Sequence, residues 1–307
     1  MIRDPYGRPV NNLRISVTQK CNLNCFYCHR EGETEAPSTE MSPDEIATIV
    51  EVASRLGVRK VKLTGGEPLL RKDILEIVRR IKDVPGIVEV SLTTNGTLLQ
   101  NLAHELAESG LDRVNVSLDS LNPSRYMAIT GRNCLSSVLS GIMEAKNAGL
   151  NPVKVNMVLL RGVNEDEVWD MVEFSSKVGV ILQLIELVSA PSTENSVFRR
   201  YHVDPAPIEE ELRGMASRVL VRRMHHRRKY LLPGGAEVEV VRPMHNTEFC
   251  AYCTRMRVTS DGKLKPCLLR DDNLVDILTP IRRGASMREL EAVFKRAVML
   301  RRPYFTG

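Results

Sequence analysis

Long apolar runs are missing from this chain. None reaches the ~18 to 20 residues that cross a bilayer, and Met1-Ile2-Arg3-Asp4-Pro5 has no apolar core of the secretion-signal kind. A cytosolic, cytoplasmic protein is the expectation. Charge of one sign is scarce too, because 43 Lys and Arg against 38 Asp and Glu leave only +5 at pH 7. So small an excess suits an anionic small molecule as well as nucleic acid. The densest basic cluster, Arg222-Arg223-Met224-His225-His226-Arg227-Arg228-Lys229, has no interleaved aromatic platform on which single-stranded bases could stack. It reads as a solvated turn between two strands, and no nucleic acid partner is expected. A disulfide pattern is also absent. Six of the seven cysteines fall into two tight groups, which points to metal sites in a reducing compartment, and Cys134 reads as a small buried or loop residue.

What the chain does have is a rhythm. Ser42 as N-cap, Pro43 at the first helical position and Glu45 form a capping box, and Ile46, Ile49, Val50, Ala53 and Leu56 follow as one apolar stripe that Gly57 ends. Short apolar runs near 59–64, 87–93, 113–118, 152–158 and 181–187 then alternate with helical patterns near 73–82, 98–109, 135–148 and 165–178. This alternation predicts parallel βαβ units.

Parity within the strands narrows the fold. Leu13, Ile15 and Val17 alternate with Arg14, Ser16 and Thr18; Val61 and Leu63 with Lys60, Lys62 and Thr64; Val90 and Leu92 with Ser91 and Thr93. Val114, Val116 and Leu118 alternate with Asn115, Ser117 and Asp119, and Val153, Val155 and Met157 with Lys154 and Asn156; Leu182 to Leu187 is less clean. A parallel sheet covered on both faces would read as continuous apolar runs. A polar face must therefore look into something wet or ligand-filled, since buried unpaired polar groups cost kilocalories each. The expected fold is α/β, an incomplete (β/α)6 TIM-like barrel whose lumen is a binding site. Arg14, Lys60, Lys62 and Lys154 against the single acid Asp119 predict an anionic substrate for that lumen.

Glu31 to Glu40 is a polar segment, and Ser189 to Val203 reads as a linker. From about 215, short strand-like runs with turn signals at Pro233-Gly234-Gly235 and Asp261-Gly262 predict a mostly antiparallel β subdomain, closed by a helix over Ser286 to Arg302 with Leu290, Val293, Phe294 and Ala297 on one face. The organisation expected is a partial barrel over 1–214 and a C-terminal region over 215–307.

The chemistry concentrates in the two cysteine groups. Cys21, Cys25 and Cys28 lie at i, i+4 and i+7 on a loop leaving a strand. Three thiolates can hold a [4Fe-4S] cluster with one iron open to a further ligand; a zinc site or reactive thiols are the alternatives. Cys250, Cys253 and Cys267 are again three, on an Asp-Gly hairpin, and there a zinc tetrahedron completed by His245 competes evenly. Arg255 and Arg257, at i and i+2 just past Cys253, project together and offer bidentate donors suited to phosphate, which favours the cluster.

Asn12 to Thr18, the Cys21 group, Leu63-Thr64-Gly65-Gly66-Glu67-Pro68-Leu69, Thr93-Thr94-Asn95-Gly96, Val114 to Ser120, Ile129-Thr130-Gly131-Arg132, Val153-Lys154-Val155-Asn156 and the Cys250 group together resemble the MoaA family of GTP 3',8-cyclases. These are radical S-adenosylmethionine (SAM) enzymes that begin molybdenum cofactor biosynthesis. The resemblance covers nearly the whole chain. It implies two [4Fe-4S] clusters: one on Cys21, Cys25 and Cys28 that binds SAM, with Tyr27, Gly66, Ser117 and Val188 beside it, and one on Cys250, Cys253 and Cys267. It implies GTP contacts from Arg14, Lys62, Thr93, Lys154 and the Arg255-Met256-Arg257 segment, with Arg14, Arg255 and Arg257 in catalytic roles.

The product implied is 3',8-cyclo-GTP, passed to cyclic pyranopterin monophosphate synthase, with an unidentified electron donor and a homodimer. Two departures stand out. The family commonly reads Ile-Glu-Phe-Met-Pro where this chain has Ile185-Glu186-Leu187-Val188-Ser189, so Val188 packs without a thioether. The family also typically ends in Gly-Gly, where this chain has Thr306-Gly307. The competing readings are another twin-cluster radical SAM enzyme, such as a peptide-modifying one, and a non-catalytic metal- or nucleotide-binding protein.

Overall fold

The parity of the strands carries directly into the architecture. In a computed structural model that describes residues 1–33, 39–189 and 195–306, the expected strands appear as β1 (Asn12–Ser16), β2 (Lys60–Thr64), β3 (Glu89–Thr94), β4 (Arg113–Ser117), β5 (Val153–Leu159) and β6 (Ile181–Glu186). They pair in parallel, in chain order. On each, the apolar set is buried: Leu13, Ile15, Val61, Leu63, Val90, Leu92, Val114, Val116, Val155 and Met157 are fully covered, and so are Leu182 and Leu184 of β6. The alternation that looked weak in β6 is therefore intact, with Gln183 and Ile185 on the inner face.

Helices cover the outside. They are α1 (Pro43–Arg55), α2 (Ile74–Lys82), α3 (Leu99–Glu108), α5 (Leu135–Asn147) and α6 (Val168–Val178), with α4 (Pro123–Thr130) between α3 and α5. The Ser42–Glu45 capping box starts α1 as expected. Helix α4 has its own signals, an Asn122 N-cap, Pro123 and a left-handed Gly131, but only eight residues and a weak apolar stripe. It matters because the carbonyls of Ile129 and Thr130 accept from the N–H groups of Phe26 and Asn24 and so back the first cysteine loop.

The linker expected over Ser189 to Val203 is not a plain connection: α7 (Asn195–Tyr201) lies within it, while 190–194 fall outside the described residues. Phe198 and Tyr201 pack on a small cluster of Ile129, Leu160 and Leu187, and this burial stabilises a helix too short to stand alone. The middle of the polar segment, 34–38, and Gly307 also lie outside the described residues.

After α8 (Ala206–Met215) come β7 (Arg218–Val221), β8 (Arg228–Leu231), β9 (Glu237–Val241), α9 (Thr247–Ala251), β10 (Arg255–Val258), β11 (Lys263–Lys265) and β12 (Val275–Asp276), then α10 (Leu278–Arg282) and α11 (Met287–Met299). Pairing within β7-β8-β9 and within β10-β11-β12 is antiparallel, as expected. Two of these strands also join the barrel sheet in parallel, β10 beside β1 and β9 beside β6. Among the described residues the sheet reads β12-β11-β10-β1-β2-β3-β4-β5-β6-β9-β8-β7 and stays open. β9 and β10 follow one another in the chain yet extend opposite edges of the six-unit sheet. No described helix is long and apolar enough to cross a membrane.

Candidate active site

The polar faces of the strands enclose one cavity of about 1000 Å³. All six grouped cysteines line it, while Cys134 packs against the apolar core instead. Arg14, Lys62, Thr93, Lys154, Arg255 and Arg257 line it too, as do Tyr27, Gly66, Ser117 and Val188. Met256 does not contribute its side chain, which is fully buried in the core between the inward-facing Arg255 and Arg257. Only the Met256 backbone is left to face a substrate.

The first cysteine loop leaves β1 and is held by close backbone approach. The N–H of Gly66 donates to the Thr18 carbonyl and that of Glu67 to the Lys20 carbonyl, each at 2.7 Å. A Cβ on Gly65 would stand 2.3 Å from the Thr18 oxygen, and one on Gly66 2.2 Å from the Lys20 oxygen, so only glycine permits this contact. Glu67 is fully buried and accepts from Leu69 N–H, Thr94 Oγ1 and Asn95 N–H at 2.9, 2.7 and 2.6 Å. Burial pushes its carboxyl up to about 7 despite these donors. Asn95 continues the brace through Asn22 to the cysteine loop.

Tyr27 donates its hydroxyl to Asp119 at 2.5 Å, and Val158 N–H donates to the other Asp119 oxygen at 2.9 Å. Asp119, the single acid that strand parity places on the polar face, thus pairs with Tyr27 and not with Lys62 or Lys154. Instead Lys62 donates to Asn115 Oδ1 at 2.7 Å, and Lys154 to Glu239 at 2.6 Å. Burial pushes Asp119 up to about 6.

The second cysteine group sits on α9 and the segments beside β10 and β11. Asp4 pairs with both Arg8 and Arg301, at 2.7 and 3.1 Å. Arg8 then donates to the Cys250 carbonyl at 2.9 Å and Arg301 to the Cys253 carbonyl at 2.7 Å. Burial pushes the Cys253 thiol up, but Arg301, the Arg255 N–H, and the Arg255 and Arg8 guanidiniums more than reverse it. A thiol held below its ordinary pKa suits a metal-bound thiolate. At the first group burial dominates and all three thiols are pushed up, a state that bound iron would invert.

Three cavity-lining cysteines in each group are donors of the kind that iron-sulfur clusters take. Among the described residues no three His, Cys, Asp or Glu side chains converge on one ion. His245, the candidate fourth zinc ligand, packs on Phe305 with ring centroids 4.9 Å apart.

The cationic wall is crowded. Burial holds Arg255 and Lys62 well below their ordinary pKa values, and neighbouring cations add to it: Arg14 and Arg257 around Arg255, Arg113 and Arg14 around Lys62. The Nε donors of Arg14 and Arg255 and the Thr93 hydroxyl are buried without a partner among the described residues. Such a wall is complete only with an anion bound. Two internal carboxylates offset part of it, and the sequence had not marked either. Glu31 meets Arg14 and Arg257, and Glu239 meets Lys154 and Arg222. Parity over 237–241 could have placed Glu239 inside, opposite Val238 and Val240; nothing local marks Glu31.

Comparison with known proteins agrees with this geometry. The radical SAM superfamily profile matches residues 15–175, and the Molybdenum Cofactor Synthesis C profile matches 180–306. The probable GTP 3',8-cyclase of Pyrococcus abyssi is 57% identical over 310 residues, covering 100% of both chains. That of Methanocaldococcus jannaschii is 48% identical over 304 residues, covering 99% of each. Streptococcus suis SuiB bound to S-adenosylmethionine shares the fold at a TM-score of 0.67 and 16% identity, over 89% of this chain and 64% of that one. Native anSMEcpe with bound AdoMet shares it at 0.64 and 18%, over 93% and 81%. With a cysteine loop and glycine turn of the superfamily's kind, a second thiol group beside paired arginines, and full-length relatives at this identity, the chain belongs to the GTP 3',8-cyclase family of the radical SAM enzymes.

Proposed function

We propose that the protein is a radical SAM GTP 3',8-cyclase, a lyase that carries out the first step of molybdenum cofactor biosynthesis. The observation that carries this reading is that both cysteine groups and the cationic strand faces open onto one cavity. Cys21, Cys25 and Cys28 are the residues to hold a SAM-binding [4Fe-4S] cluster, and Cys250, Cys253 and Cys267 a second one. When bound, the first cluster with SAM supplies a 5'-deoxyadenosyl radical.

The chain's own contribution is placement. Arg14, Lys62, Lys154, Arg255 and Arg257 are proposed to anchor GTP through its phosphates and base, giving binding energy remote from the reacting carbon. Thr93 offers its unpartnered hydroxyl. Tyr27, fixed by Asp119, lies with Gly66, Ser117 and Val188 on the side proposed for SAM. The cavity wall keeps water from a primary radical and holds the ribose at reaction distance. Removal of the 3'-hydrogen of GTP, closure of the C3' to C8 bond at the expense of the C8=N7 double bond, and uptake of one electron and one proton at the purine give the 7,8-dihydro form of 3',8-cyclo-GTP, an isomer of the substrate. In this reading residues 1–214 carry the SAM half and 215–307 the second cluster. A cyclic pyranopterin monophosphate synthase takes the product, a separate donor supplies electrons, and a cytoplasmic homodimer is the proposed working form.

The test is anaerobic iron and zinc analysis with Mössbauer spectroscopy on the intact protein and on the Cys250→Ala, Cys253→Ala, Cys267→Ala variant. About eight irons falling to about four supports two clusters. Four irons plus zinc, with only the zinc lost in the variant, overturns the assignment.

A further inference from the structure

The basic turn between β7 and β8 was expected to be solvated, yet it folds into the cavity mouth. Arg222 and Arg227 line the same cavity as Lys62 and Lys154. Arg222 donates to Glu239 Oε1 at 2.7 Å, Arg227 stands 3.9 Å from Glu239 Oε2, and Lys154 reaches the same carboxylate at 2.6 Å. Glu239 itself is fully buried. One carboxylate cannot neutralise three cations, so this corner keeps a positive excess. The Arg227 side chain is only 14% exposed, and its Nε is buried with no acceptor among the described residues. A guanidinium offers two edges to oxyanions. Here Glu239 faces one terminal nitrogen, and the Nε edge lacks its acceptor.

We infer that Arg227, with Arg222 beside it, grips the triphosphate of the nucleotide substrate, extending the phosphate site from Lys154 across the sheet to the β7–β8 turn. This rests on the GTP reading above. It gives the basic turn a small-molecule role, and it explains why a cation-rich segment packs against the strand that holds Glu239. A nucleoside without phosphates leaves the Nε donor unmet; a phosphate oxygen meets it. The same contact makes the terminal phosphates, more than the base, the part of the substrate this turn selects.

The experiment is anaerobic calorimetry on holoenzyme loaded with its clusters and SAM, using GTP, GDP and guanosine, with the parent, Arg227→Gln and Arg227→Lys. The expected result for Arg227→Gln is a loss of GTP affinity of roughly 10- to 100-fold, the worth of one charge-assisted hydrogen bond. Guanosine affinity stays within about twofold of the parent, and Arg227→Lys recovers part of the loss. Guanosine binding doubles as the check that the site is folded. A GTP affinity unchanged in Arg227→Gln, or GTP and guanosine weakened equally, overturns the inference alone. A parent that binds GTP no tighter than guanosine overturns the triphosphate reading as a whole, and this inference with it.

Discussion

Arg14 and Arg257 are register partners on neighbouring parallel strands, and the one carboxylate of Glu31 meets both, at 3.5 and 2.5 Å. Glu31 follows the first cysteine loop by three residues, so it ties the wall of the second cysteine group to the loop of the first. Burial pushes its carboxyl up, but Arg14, Arg257 and His29 reverse this and hold it far below the usual carboxylate range.

That ion pair gives a first prediction. A depressed folded pKa means the stabilisation is present above the unfolded value of ~4.3 and is lost only as pH falls through the folded one. Glu31→Gln should therefore lower unfolding free energy at neutral pH by about 3 kcal/mol, because it leaves two buried guanidiniums unpaired. Saturating GTP should return part of the loss, since its phosphates replace the missing anion. Thermal unfolding with and without GTP reads this directly. An equal GTP-induced shift in variant and parent would remove Glu31 from the substrate's anion site.

Lys154 gives a second, in pH. Burial pushes its ammonium below the ordinary lysine value of ~10.4, the Glu239 carboxylate opposes this, and Arg222 and Arg227 add to it. The protonated form is the one that holds phosphate. GTP affinity should therefore decline as pH rises through the lowered pKa, well before an ordinary lysine would titrate. Lys154→Arg stays charged and should flatten that decline. Michaelis constants for GTP measured from mildly acidic to alkaline pH, bracketing the lowered value of about 7, check it, and parallel profiles for parent and variant would contradict it.

A third concerns Arg301, which is 1% exposed and donates to the Cys253 carbonyl at 2.7 Å while pairing with Asp4. Arg301→Ala removes both the contact and the charge that favours a thiolate there. Iron content should fall from about eight toward about four per chain, with the SAM-side cluster kept. Anaerobic iron analysis after reconstitution decides, and full iron retention would show that Asp4 and Arg8 suffice.

Much of this was legible because parity in a one-faced parallel strand is a local signal. Arg14, Lys62, Thr93 and Lys154 face the cavity for the same reason that Leu13, Leu63, Leu92 and Val155 face the helices. Helices α4 and α7 were missed because each is short and depends on tertiary contacts, α4 against the cysteine loop and α7 through Phe198 and Tyr201. The basic turn misled for a different reason. Charge in a sequence says that a segment must meet water or counter-ions, and Arg227 meets a carboxylate from another strand that no local pattern connects to it.

The strand order has one more consequence. Because β9 and β10 extend opposite edges of the open sheet, the chain between them, with Cys250 and Cys253, has to cross the gap like the tongue of a buckle. Its reach is an upper limit on how far apart the two edges can stand. The segment that bridges the open side of the sheet is thus also one that carries two thiols into the cavity lining.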